Sequence, residues 1–201
     1  MKQATLIFAA LLTSSSLMAQ TYVTVSGDYF RATSDEVQDA DFDGWGAGID
    51  LTHWFDNEVY VNVSGGIQNA GISECIEGFC VKADTDVIGT SVALGKRFEN
   101  FTPFVKTSFV KVDTTYSVLN QSFTDDETDW DVGFGGLLES GDMLFGITVD
   151  GLRDTDDGFT VTGQAIYKVT STDGISINIG RLFNVDDLES TRFGIGWVRF
   201  L

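Results

Sequence analysis

The chain has 201 residues and a strongly acidic balance, 30 Asp and Glu against 12 Lys and Arg, for a formal net charge of −18. That excludes nucleic acid as a partner, since binding phosphates needs clustered basic side chains. Glycine is abundant at 22 residues and Pro103 is the one proline, a composition that argues against a disordered or linker-rich chain.

Residues 1–19 read as a cleaved signal peptide. Lys2 gives the positive start, Thr5 to Leu12 the apolar run and Ala19 the cleavage point. The run is too short to cross a bilayer, and no later apolar stretch approaches the roughly 18 residues of a transmembrane helix. A helical membrane protein is therefore excluded. Residues 20–201 are expected to form one exported domain.

From Gln20 onward the apolar period is two. Ten strands are predicted, near 20–30, 44–54, 58–67, 85–97, 103–116, 128–139, 143–153, 158–169, 174–183 and 191–201. Trp45, Ala47 and Ile49 alternate with Gly46, Gly48 and Asp50, and Val59, Val61 and Val63 with Tyr60, Asn62 and Ser64. Further on, Trp130, Val132 and Phe134 alternate with Asp129, Asp131 and Gly133, and Ile175, Ile177 and Ile179 with Ser176, Asn178 and Gly180. The connections at 31–43, 68–84, 117–127, 154–157 and 184–190 are mostly long and acidic, while those at 55–57, 98–102, 140–141 and 170–173 are short. Long loops on one rim and tight turns on the other predict an all-β, up-and-down antiparallel transmembrane barrel. About ten strands are expected, with eight as the alternative count. An even number places both termini on the short-turn, periplasmic rim.

A soluble barrel turns its apolar face inward, whereas a membrane barrel turns it to lipid and lines its interior with polar groups and glycine. The apolar face here carries Trp, Phe, Tyr and Ile on strand after strand, too bulky for so narrow an interior. The apolar face is therefore expected outward. Trp45, Trp54, Trp130 and Trp197, with Tyr22, Tyr29 and Tyr167, fall near segment ends and read as aromatic girdles.

The last strand carries Phe193, Ile195 and Trp197 outward and stops at Leu201. On this pattern the chain resembles small bacterial outer-membrane β-barrel proteins of the OmpA/OmpX-like, porin-like kind. The resemblance implies a location in the outer membrane and contact with its lipid and lipopolysaccharide. It also implies recognition of the C-terminal strand (Phe193, Ile195, Trp197, Leu201) by the barrel assembly machinery. Such proteins commonly end in Phe, so Arg199 and Leu201 depart from the pattern. Arg199 is expected to snorkel to the periplasmic interface.

The candidate site is a polar lumen network of Asp28, Asp50, Asn62, Lys106, Asp129, Asp131, Asp150, Gln164, Lys168 and Arg192. Asp28 and Arg192 lie on the closing strands, placed to form an ion pair. A hairpin centred on Ser140-Gly141 would set Asp131 opposite Asp150. Two such carboxylates repel, so one holds a proton, a cation sits between them, or Lys106 and Arg192 neutralise them. Cys75 and Cys80 are expected to form a disulfide, as befits an exported chain. Asp39, Asp41 and Asp43 are weak candidates for a divalent cation, against the plainer reading of a solvated loop. The one histidine, His53, falls near the periplasmic turn with only Asp56 close in sequence, so no catalytic residues and no cofactor are predicted.

Three functions fit these residues. The first is a structural or weakly pore-forming barrel with a narrow, acid-rich lumen. The alternative is a surface adhesion or divalent-cation-binding barrel acting through acidic extracellular loops. The third is a soluble exported barrel that carries an apolar ligand.

Overall fold

A computed structural model of the chain describes residues 21–34, 40–76, 79–118, 121–153, 158–183 and 188–201. The expected signal peptide, residues 1–19, lies outside the described residues. Ten strands follow one another: β1 Thr21–Ser34, β2 Ala40–Trp54, β3 Val59–Ile76, β4 Phe79–Lys96, β5 Phe101–Val118, β6 Gln121–Ser140, β7 Met143–Asp150, β8 Phe159–Lys168, β9 Asp173–Phe183 and β10 Leu188–Phe200. Each pairs antiparallel with its neighbours in sequence, and β1 pairs with β10 to close a barrel.

The apolar face points outward, as the alternation predicts. Trp45, Ile88, Phe109, Trp130, Phe134, Ile177 and Ile195 are all exposed, from 46% at Trp130 to 57% at Ile195. Such a continuous exposed band suits acyl chains and not water.

Strands β3 to β6 run well past their expected ends. The alternation predicts long loops at 68–84 and 117–127, yet β3–β4 stay paired to Ile76↔Phe79 and β5–β6 to Val118↔Gln121. The polar alternation fails there because neither face meets lipid, while Thr, Val and Tyr still favour extended backbone. The result is a four-stranded wing, β3 to β6, standing above the long-hairpin rim.

The interior departs from the expectation of small and polar side chains at its short-turn end. Tyr22, Trp54, Tyr60, Phe104, Leu137, Ile166 and Val198 are buried together there, with Leu144 and Phe200 packed against them. Ring centroids step across the lumen from Phe200 to Tyr22 (5.7 Å), Trp54 (5.8 Å), Tyr60 (5.3 Å) and Phe104 (5.5 Å). Tyr22 and Trp54 are thus plug residues and not girdle residues. Their parity explains it, since Trp54 shares a face with Thr52 and Asp50, opposite Ile49. Phe104 gains its room from register partners Gly95 and Gly135, where any Cβ would overlap its ring or backbone.

Candidate functional site

Register pairs across adjacent antiparallel strands place inward side chains about 4.5–5.5 Å apart. One rung crosses β1 to β4 as Thr24, Asp50, Ser64 and Ser91. The rung nearer the plug crosses β1 to β5 as Tyr22, Thr52, Asn62, Ala93 and Lys106. The Ser64 and Ser91 hydroxyls are 2.6 Å apart, and Asn62 Nδ2 donates to Thr52 Oγ1 at 2.9 Å. Both rungs line a cavity of about 120 Å³, with Thr148 and Gln164 on the far wall and Tyr22, Tyr60, Phe104 and Leu137 at the plug end. That volume holds several waters, and its walls are polar enough to bind them.

Two ion pairs bracket this cavity. Lys106 Nζ reaches Asp150 Oδ2 at 3.0 Å, and Arg192 Nε reaches Asp28 Oδ2 at 2.6 Å. The second is the pair expected on the closing strands. With the Gln68 amide oxygen turned to the guanidinium, it accepts from Arg192 at 2.5 and 2.8 Å. Each cluster lies across a glycine. Lys106 is the register partner of Gly133, which abuts Asp150, and Gly46 is the partner of both Asp28 and Gln68. A Cβ at Gly133 would overlap Asp150 Oδ1, and one at Gly46 would meet Asp28 and Gln68 at 2.7–2.9 Å.

The hairpin register differs from expectation. Ser140 pairs with Met143, so the two-residue loop is Gly141-Asp142 and not Ser140-Gly141. Gly141 has φ +60, and glycine at the first loop position is the arrangement of a type II′ hairpin. Gly135 therefore faces Thr148, and Asp131 is not opposite Asp150. Asp131 instead accepts from the backbone N–H groups of Gly151 and Arg153, which anchors the β7–β8 connection. Asp129 stands at the outer rim, paired with Arg153, whose guanidinium lies 4.7 Å from the Trp130 ring centroid. Lys168 sits at the opposite end, 5.0 Å over the Phe200 ring. The ten residues expected as one network thus divide. Asp50, Asn62, Lys106 and Gln164 line the cavity, Asp28, Arg192 and Asp150 bracket it, and Asp129, Asp131 and Lys168 lie at the ends.

Among the weak cation candidates, Asp39 and the side chain of Asp41 lie outside the described residues. Asp43 accepts from Tyr29 Oη at 3.3 Å. No group of three His, Cys, Asp or Glu gathers among the described residues. The backbones of Cys75 and Cys80 are register partners, but their side chains lie outside the described set, as does the disulfide expected there. His53 is at the short-turn end, with Nδ1 2.7 Å from Thr21 Oγ1 and its ring edge-on to Phe55. In the C-terminal strand Phe193, Ile195 and Trp197 face outward and Leu201 is exposed. Arg199 is held at the rim by Asp173 (2.9 Å).

Residue type alone does not single out Thr24, Gln68, Arg153, Phe104 or Phe200, and it assigns Tyr22 and Trp54 to the girdles. Strand parity carries the signal for most of them, because Thr24 and Tyr22 share the face of Asp28, and Gln68 that of Asn62.

The wing forms the other candidate surface. Its outward side carries Asp86, Asp113 and Asp126 in one rung, next to Asn69. Asn69 donates to Asp86 at 2.8 Å and Lys111 to Asp113 at 2.6 Å. Its other side carries Tyr116 opposite Phe123, 44% and 61% exposed.

With this geometry the chain has the fold of bacterial outer-membrane β-barrels. It is similar to Ail, the attachment invasion locus protein of Yersinia pestis, solved with the heparin analogue sucrose octasulfate. That likeness has 12% identity and a TM-score of 0.52 over 92% of this chain and 100% of that one. It is also similar to the transport unit of the autotransporter AIDA-I from Escherichia coli, at 8% identity and a TM-score of 0.55 over 99% and 97%. An outer membrane channel from Pseudomonas putida F1 matches at 10% identity and a TM-score of 0.52 over 94% and 98%. At such identities the likeness defines the fold alone. No protein-family model and no curated protein matches the chain.

Proposed function

We propose that the chain is a non-enzymatic outer-membrane barrel that stays closed to ions and works through its wing. The short-turn rim faces the periplasm, and lipid and lipopolysaccharide surround the outward apolar band. The observation that carries the reading is the aromatic plug, in which Val198 is 0% exposed and five rings fill one end of the lumen. The interior of a small barrel is narrow enough for side chains to fill, and here aromatic rings do so at the short-turn end.

The charge of the wing selects its partner. Among the described residues of the wing, Asp84, Asp86, Asp113, Asp125, Asp126 and Glu127 outnumber Lys82 and Lys111. A polysulfated sugar such as the one bound to Ail would be repelled, whereas a basic protein surface would be attracted and its approach steered. β6 pairs with β7 only from Phe134 to Ser140, so among the described residues its outer part has a strand on one side only. Its carboxylates discourage pairing with a second copy of itself.

Planar-bilayer conductance tests the closed lumen. The folded wild-type chain is expected to be silent, and Trp54→Ala/Phe104→Ala to give discrete steps. Reproducible steps from the wild type would establish the weakly pore-forming reading instead. Binding of the folded protein to immobilised oligolysine but not to heparin, lost as salt screens the charges, is the expected companion result.

A further inference from the structure

The lumen holds one carboxylate that its own cations do not take. Arg192 is committed to Asp28 and Lys106 to Asp150, while Lys168 lies over Phe200 at the far rim. Asp50 forms no ion pair among the described residues. Its rung neighbours are hydroxyls, Thr24 on one side and Ser64 on the other. Thr24 is 2% exposed, and its Oγ1 has no hydrogen-bond partner in the protein although it lines the same cavity as Asp50. A hydroxyl and a carboxylate that face one space without bonding each other are both available as oxygen ligands. Asn62 adds to them, because its amide nitrogen is given to Thr52 and its oxygen remains an acceptor.

From this juxtaposition we propose that Asp50 and Thr24, with oxygens of Ser64 and Asn62, bind one alkali cation, sodium or potassium, together with water. The rung of Asp50 sets one carboxylate among neutral oxygens, and the Lys106 charge on the same cavity is answered by Asp150, so a single positive charge is the match. Sites for divalent cations gather several carboxylates, and no such group occurs among the described residues. The bound ion would balance the interior and supply the partner that the Thr24 hydroxyl lacks. The proposal extends the closed-lumen reading, and the two fail separately: conductance reports on the plug, cation dependence on Asp50.

The test is thermal unfolding of the protein refolded into detergent in sodium, potassium or choline chloride at equal ionic strength and neutral pH. The wild-type midpoint is expected to stand several degrees higher in sodium or potassium than in choline, and to rise with alkali concentration as for any ligand of the folded state. Asp50→Asn is expected to erase the difference. Thr24→Val, which keeps the shape and removes the oxygen, is expected to reduce it, and this variant decides the matter if Asp50→Asn does not fold. Equal wild-type midpoints in the three salts would overturn the proposal, as would a difference that survives in the variants. A midpoint that responds to pH but not to alkali cation would assign a proton to Asp50 and overturn it equally.

Discussion

Gly133 shows how much a missing side chain can do. It lies between Lys106 and Asp150, which meet across it at 3.0 Å. An alanine methyl there would overlap Asp150 Oδ1 and the Val149 carbonyl, and the second is backbone that cannot swing away. Gly133→Ala is expected to destabilise the folded barrel by about 1–3 kcal/mol, the usual cost of overpacking, measured as a lower urea midpoint in lipid vesicles. Gly89, whose Cβ position meets nothing within 4 Å, is the control. Gly89→Ala is expected to leave the midpoint nearly unchanged. The abundance of glycine was plain in the composition, but the side chain each one accommodates depends on register, and register is fixed by the hairpins.

Among the strands, the alternation reported what the environment enforces. Where one face meets lipid and the other the lumen, period two is sharp, and β7, β8, β9 and β10 appear close to where the sequence places them. In the wing both faces meet water, so stretches such as Lys111–Val118 lose the contrast although they remain strand. The Asp28–Arg192 pair was legible because both residues lie on the polar face of strands that must meet in a closed barrel. The separation of Asp131 from Asp150 was not, because moving the loop from Ser140-Gly141 to Gly141-Asp142 slides every partner by two residues. At the wing tip the register partners Cys75 and Cys80 invite a chemical check. Alkylation of the unfolded, unreduced protein is expected to modify neither cysteine, and reduction to expose both. If they are bridged, the ring is confined to a hairpin remote from the plug, so reduction is expected to leave the barrel's unfolding midpoint unchanged.

For the molecule as a whole, the decisive property is which side is greasy. Trp45, Trp130 and Trp197 are 46–56% exposed on the outside, and Trp54 is 3% exposed within. Four single-tryptophan proteins, reconstituted in lipids brominated on their acyl chains, would read this directly. Emission from Trp45, Trp130 and Trp197 is expected to be quenched and that from Trp54 to persist. Quenching of Trp54 alone would reverse the orientation of the barrel.

The seam between β1 and β10 has one more effect. There Tyr22 meets Phe200, and the Leu201 amide donates to the Thr21 carbonyl at 2.9 Å. These partners stand at opposite extremes of the described chain, so their meeting carries the largest loss of chain entropy and the highest sequence separation of any contact here. Until they join, the nascent sheet has two bare margins able to recruit foreign strands. Closing this seam removes both margins at once, because in the finished barrel β1 and β10 each have a neighbour on either side.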